Sequence, residues 1–188
     1  MRPTTTSTHS STSTSTSATP NCSQYISLPA SFYIHDSTNF LTANFDAGVN
    51  GTSLVKEVST QAAATVFFAY TTQNSTLAFL DGQAQLGFNH TDTASGKTMT
   101  YTAWVKGDGS AIMFYSISVS AKDLYAAQYY PISAANSYQT CNLALGAVLN
   151  KYTSIPANCG GTIWLDTNTD LATRSECTAL KLTFSPVS

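Results

Sequence analysis

The chain predicts an all-β fold, an antiparallel β-sandwich-like domain with two disulfides, preceded by a disordered tail. Three observations carry that expectation. Apolar and polar residues alternate with period two over much of 21–188, the spacing that sends successive side chains to opposite faces of a strand. Clusters of Gly, Asn and Asp separate these short runs, as turns do. Four cysteines, Cys22, Cys141, Cys159 and Cys177, are even in number and include no C-x-x-C pair, so they read as bridges and not as a metal site.

The tail comes first. Between residues 4 and 19, fourteen of sixteen positions are Ser or Thr, with Pro3 and Pro20 on either side. Such a tract has too little apolar surface to offset the entropy of ordering its backbone. Its composition is that of an O-glycosylated stalk. Met1-Arg2-Pro3 leads into it without an apolar h-region, so the chain is expected to be a piece of something longer, with an export signal upstream. Residues 21–188 then make about one domain, long enough for its own core.

Strands are expected over 31–35, 53–58, 65–71, 76–80, 98–105, 111–119, 162–165 and 179–184. The clearest pair flanks Lys106-Gly107-Asp108-Gly109-Ser110, a turn cluster, and reads as a hairpin. In its first strand Met99, Tyr101, Ala103 and Val105 share one face, and Thr98, Thr100, Thr102 and Trp104 the other. In its second, Met113, Tyr115, Ile117 and Val119 form the apolar face. Short helices are expected at 122–128 and 142–150. The alternative fold is a β-trefoil, since Gly51-Thr52-Ser53-Leu54, Ala64-Thr65-Val66-Phe67 and Asp81-Gly82 have the cadence of one trefoil repeat. Three good copies are not found.

Charged residues make up 10% of the chain and the net charge is −2, against about 25% charged residues in an ordinary soluble domain. Nothing in that balance attracts nucleic acid or an anionic membrane surface. The apolar runs are too short to span a bilayer. Four N-x-[ST] sequons, at Asn21, Asn50, Asn74 and Asn89, fit an exported glycoprotein, and all but Asn21 are expected in loops. Cys159 lies eighteen residues from both Cys141 and Cys177, so spacing leaves three disulfide connectivities open. Whatever its partner, Cys22 must reach far along the chain, a closure worth up to roughly 4–5 kcal/mol in the chain-entropy account.

The C-terminal third carries two short motifs, Cys159-Gly160-Gly161-Thr162-Ile163-Trp164 and Cys177-Thr178-Ala179-Leu180-Lys181-Leu182. With the upstream Gly-x-x-Leu, Ala-x-x-Phe and Asp-Gly, they resemble the closing strands of uncharacterised secreted fungal cell-wall or surface modules attached to Ser/Thr-rich stalks. The likeness covers roughly half of the domain and departs from the pattern at 84–100 and in the second cysteine pair. It implies an extracellular or wall location and no defined chemistry.

Residues that act as catalysts are hard to assemble here. There is no G-x-S-x-G elbow. His35-Asp36 is the best acid–base pair on paper, yet neighbours in sequence do not orient one another, and a strand-end His beside a turn-opening Asp explains both. His90 falls within a sequon, which reads as surface. Two glutamates, Glu57 and Glu176, and eight aspartates give many carboxyl pairs and single out none as a glycosidase dyad. Asp166, Asn168 and Asp170 have the opening spacing of a calcium loop, but Leu171 replaces the turn Gly and Cys177 the bidentate Glu. An Asx-turn loop accounts for that pattern better.

Aromatic residues remain. Trp104 lies on the Thr-lined face of its strand, and Tyr129-Tyr130 precede Pro131 in an expected loop. Exposed Trp and Tyr rings stack on sugar rings; a second packed layer would instead bury Trp104. The expectation is thus a non-enzymatic secreted or wall-associated module without a cofactor. Its ligand would be a wall polysaccharide held by Trp104, Tyr129 and Tyr130. The alternatives are a secreted effector or inhibitor that binds a protein partner, and a small glycoside hydrolase.

Overall fold

A computed structural model describes residues 29–44, 51–56, 60–70, 84–107, 110–136, 143–147, 155–165, 171 and 174–187. The stalk, Cys22, Cys141, the sequons at Asn21, Asn50 and Asn74, the expected strand 76–80 and the Asp166-Asn168-Asp170 loop lie outside them.

The first strands are β1 (Phe32–His35), β2 (Leu41–Asn44), β3 (Gly51–Lys56) and β4 (Phe67–Tyr70), with a 3-10 turn at Gln61–Ala63 before the last. Next come β5 (Ala84–Thr91), β6 (Thr98–Lys106), β7 (Ser110–Ala111) and β8 (Met113–Ser116). The helix α1 (Ala121–Ala126) leads into β9 (Tyr129–Asn136) and β10 (Leu143–Ala147). The chain closes with β11 (Pro156–Cys159), β12 (Thr162–Leu165), β13 (Cys177–Ala179) and β14 (Thr183–Pro186). Every pairing is antiparallel. The path runs β13-β11-β12-β3-β8-β6-β9-β5-β4-β1-β14, with β10 on β9, β2 on β3, β7 on β12, and a further β5–β6 ladder. The fold is mostly β and antiparallel, as the alternation predicts.

The expected hairpin forms, with Tyr101 opposite Ser116 and Trp104 opposite Met113. Its second strand faces the other way from the expectation. Ile112 and Phe114 are fully buried while Ile117 is exposed. Residues 111–119 carry apolar side chains on both faces, so alternation alone cannot choose. Register does: buried Ala103 pairs with Phe114, and cross-strand partners share a face.

The helix expected at 142–150 is instead β10, because β9 offers a free ladder and Leu145 is buried opposite Ala134. The expected strand 179–184 is two strands, with Leu182 plugging the core between them. Strands β2, β5, β9 and β11 are not foreseen from the sequence. The short helix before Pro131 is α1.

One core cluster draws on Phe32 and Ile34 of β1, Phe67 of β4, Leu86 and Phe88 of β5, Phe114 of β8, and Ile163 and Leu165 of β12. Rings meet at its centre. Phe88 lies 5.3 Å from Tyr101 and 5.0 Å from Phe114, and Phe67 lies 6.3 Å from Phe88 and 6.0 Å from Phe114, by ring centroids. Edge-to-face and offset pairs at such spacing add to plain burial.

A smaller cluster of Ala157, Leu171 and Cys177 surrounds the Cys159–Cys177 disulfide. This bond gives Cys159 its partner, which spacing leaves open. The two cysteines face each other in register across β11 and β13, with Cα atoms 4.2 Å apart. Leu180 N donates to Pro156 O at 2.8 Å. Counting along the ladder from that bond puts the cysteines at a non-hydrogen-bonded pair, where strands approach most closely.

Two stability outcomes follow from this packing. Phe114→Ala should lower unfolding free energy by about 3–5 kcal/mol in urea titration, because the ring is fully buried against those of Phe67 and Phe88. The double change Cys159→Ala with Cys177→Ala should cost about 2–4 kcal/mol in the same assay. An unchanged midpoint for either would contradict the packing described.

Candidate functional site

The outer face of the β4–β5–β6 ladder builds the site. Phe68 pairs with Gly87, and Gly87 with Thr102; Tyr70 pairs with Gln85. These residues alternate with the core-facing Phe67, Leu86, Phe88 and Tyr101 and so point the other way. Gly87 has a specific use here. A Cβ on it would stand 3.1 Å from Tyr101 O and 3.3 Å from the Phe68 ring, so glycine lets that ring lie across β5.

The turn after β8 and the helix α1 fold back over this face. Together they border a half-open cleft of about 280 Å³ whose described lining is Tyr70, Gln85, Thr102, Trp104, residues 116–121 and Leu124. Within the turn, Ser116 Oγ accepts from Ser118 N at 3.3 Å and lies 2.9 Å from Ser118 Oγ.

Trp104 sits on the Thr-lined face, as the sequence predicts, but it is only 4% exposed. Its Nε1 donates to Thr102 Oγ1 at 3.0 Å, and its ring meets Tyr125 of α1 edge-on at 5.8 Å. The helix supplies the second layer that buries it. Gln85 is also 4% exposed, and its Nε2 donates to Ala103 O at 3.0 Å. A carbonyl can only accept, so the amide orientation is fixed by chemistry. Among the described residues no group donates to Gln85 Oε1, and no acceptor takes the Thr102 hydroxyl proton. The buried floor therefore presents one acceptor and one donor, beside aromatic and aliphatic walls.

Tyr129 and Tyr130 are not in a loop; they open β9, opposite Lys106 and Val105. Pro131 ends no strand, because β9 loses only one backbone donor there and continues into its ladder with β10. Neither tyrosine lines the cavity. Tyr129 meets Tyr115 edge-on at 5.3 Å, and Tyr130 lies 6.3 Å from Tyr125. The sequence reading misses Tyr70, Gln85 and Thr102. The available signal was Gly87 inside an apolar run, which marks a close approach.

His35 and Asp36 form a turn. Asp36 Oδ1 accepts from Thr38 N at 2.8 Å and Asn39 N at 2.7 Å, closing the link from β1 to β2. His35 Nδ1 lies 2.9 Å from Asp36 O and 3.1 Å from Thr183 Oγ1. They border a second, larger cleft of about 610 Å³ with Lys181. Asn89 stands in β5, not in a loop, and its exposed side chain accepts from Thr100 Oγ1 at 2.8 Å. Among the described residues no three His, Cys, Asp or Glu side chains gather as a metal site. No described helix is long and apolar enough to cross a membrane. No protein-family profile matches the chain, and no curated protein matches its sequence.

Burial, and then the hydrogen bond to Tyr129, push the Tyr115 phenol above its ordinary value; burial alone does so for Tyr125. The folded state thus holds these protons where the unfolded chain releases them. Stability is fully present below about pH 10 and falls as pH rises beyond it. Thermal melts from pH 8 to 11 should show that decline, and Tyr115→Phe should flatten it. An equal slope in the variant would contradict the assignment.

Proposed function

We propose that this is a non-enzymatic, exported or wall-associated module that binds wall polysaccharide through the Trp104 cleft. The observation that carries the reading is the cavity floor. Gln85 Oε1 and the Thr102 hydroxyl are buried, offer one acceptor and one donor, and line one cleft with the half-buried Tyr70 ring. Polyols carry that same mixture, with hydroxyls on their edges and C–H groups on their faces. Tyr129 and Tyr130 act in this reading only through the aromatic packing beneath α1.

What supports an exported location is the disulfide, together with the hydroxyl-rich tail and its resemblance to stalked fungal surface modules. The two motifs behind that resemblance form β11, β12 and β13, the corner that the disulfide closes. A sandwich-like packing, rather than a trefoil, is supported by a main core cluster that draws on strands far apart on the sheet path and by the lack of threefold repetition in the described pairings.

Pull-down of the full chain on insoluble β-glucan, chitin and mannan tests the reading. Retention is expected on at least one of them, and Gln85→Leu should weaken it roughly tenfold, the worth of one buried hydrogen bond. Retention on none would remove the polysaccharide reading. It would favour a protein partner instead, for which Ile117, 53% exposed at the cleft rim, is a supporting contact surface.

Asn89 offers a separate check on export. Its Oδ1 is engaged by Thr100 and its side chain is exposed, so a glycan on Nδ2 fits the folded domain. Secretory expression should give an N-glycan at Asn89, seen as a glycosidase-sensitive peptide mass and lost in Thr91→Ala. An unmodified Asn89 would contradict this.

A further inference from the structure

We infer that Tyr115 and Tyr129 are a modification site, where oxidation couples the two rings into an intramolecular dityrosine at the base of the turn and helix beside the Trp104 cleft. The coupling is independent of what that cleft binds.

Tyr115 lies opposite Thr102 and Tyr129 opposite Lys106, on the two strands that flank β6. Positions 102, 104 and 106 share one face of β6, so both tyrosines rise on the side that carries Trp104. β6 holds their strands about 9–10 Å apart. The rings span that gap and meet edge-on, 5.3 Å between centroids and 72° between planes. Their hydroxyls share a hydrogen bond. Among the described residues the other tyrosine pair in ring contact, Tyr125 with Tyr130, is wider, at 6.3 Å. Tyr115 and Tyr129 are both half-buried, so part of each side chain reaches solvent.

That geometry suits radical coupling. A one-electron oxidant takes one electron from each phenol, and each phenol releases its hydroxyl proton. The unpaired electron of a tyrosyl radical resides on the oxygen and on the ring carbons beside the C–O carbon. Hydroxyls in hydrogen-bond contact bring those carbons close together. A carbon–carbon bond forms between them, and the hydrogens they carried move as protons to the oxygens, restoring both phenols. Two tyrosines and one hydrogen peroxide give one dityrosine and two waters, with a haem peroxidase as the class of enzyme that uses the peroxide. Neighbours already in place react as if at very high local concentration, which favours this pair over encounters between chains. Tyr115 stands next to the end of β8 and Tyr129 opens β9, so the new bond closes a ring around the turn and α1. Such a link restricts the unfolded chain as a disulfide does.

The test treats dilute full-length protein with a haem peroxidase and hydrogen peroxide, then reduces it and digests it with trypsin. Lys122 separates the two residues, and Tyr115 is the only tyrosine between Lys106 and Lys122. The expected product is therefore a pair of tryptic peptides joined at Tyr115 and Tyr129, two hydrogens lighter than their sum, with dityrosine fluorescence and a raised urea midpoint in the intact chain. Tyr115→Phe and Tyr129→Phe keep the ring packing and should each lose that product. Tyr130→Phe should retain it, with far-ultraviolet circular dichroism confirming that all three fold. The same oxidation in concentrated urea should lose it too. No dityrosine, coupling only between chains or at Tyr125 and Tyr130, or an equal yield in urea would overturn the inference.

Discussion

The rings of Phe67, Phe88, Tyr101 and Phe114 hold the domain together. Each comes from a different strand, and their contacts tie β4, β5, β6 and β8 into one layer. Because cross-strand partners share a face, fixing these four side chains inward fixes the register of every strand between them. It also decides which residues are left on the opposite side. Phe68, Tyr70, Gln85, Thr102 and Trp104 are outward because their neighbours are inward.

That outward face contains an indole and two aromatic rings, too apolar to be left wholly to water. The turn after β8 and α1 cover it partly, with Leu124 and Tyr125 against Trp104. A helix of six residues cannot cover the whole face, and the uncovered remainder is the cleft. The same event explains the buried polar floor. Thr102 and Gln85 belong to a face suited to solvent, and α1 narrows solvent access to them while supplying no new partner for Gln85 Oε1 among the described residues. Buried groups of this kind are costly unless satisfied, which is why the incomplete second layer is where a binding role is proposed.

Much of the fold class is legible in the sequence, because period-two alternation is a local signal. The β6–β8 hairpin, the strand Thr162–Leu165 and the short helix before Pro131 all follow from it. What fails is the choice of face where both faces are apolar, as at 111–119. Residues 142–150 fail for a related reason: a small-residue run such as Leu143–Ala147 becomes a strand only because β9 is there to pair with it. The position of Trp104 on the Thr-lined face is readable, but its burial is not, since the covering helix arrives from outside that hairpin. The cleft is less legible still. Gln85, Thr102 and Tyr70 are ordinary strand residues until three strands bring them together, and only Gly87 hints at a close approach. Tyr129 and Tyr130 stand out in the sequence as a pair before proline, yet they pack within the sheet.

Side-chain resonances report on the floor most directly. The Nε2 protons of Gln85 and the Nε1 proton of Trp104 can be followed by NMR while a neutral linear oligosaccharide is added. The account predicts that these two sets shift together and saturate at one ligand per chain, with the resonances around His35 and Lys181 unmoved. Shifts confined to that second cleft, or none at Gln85 under saturating ligand, would contradict it.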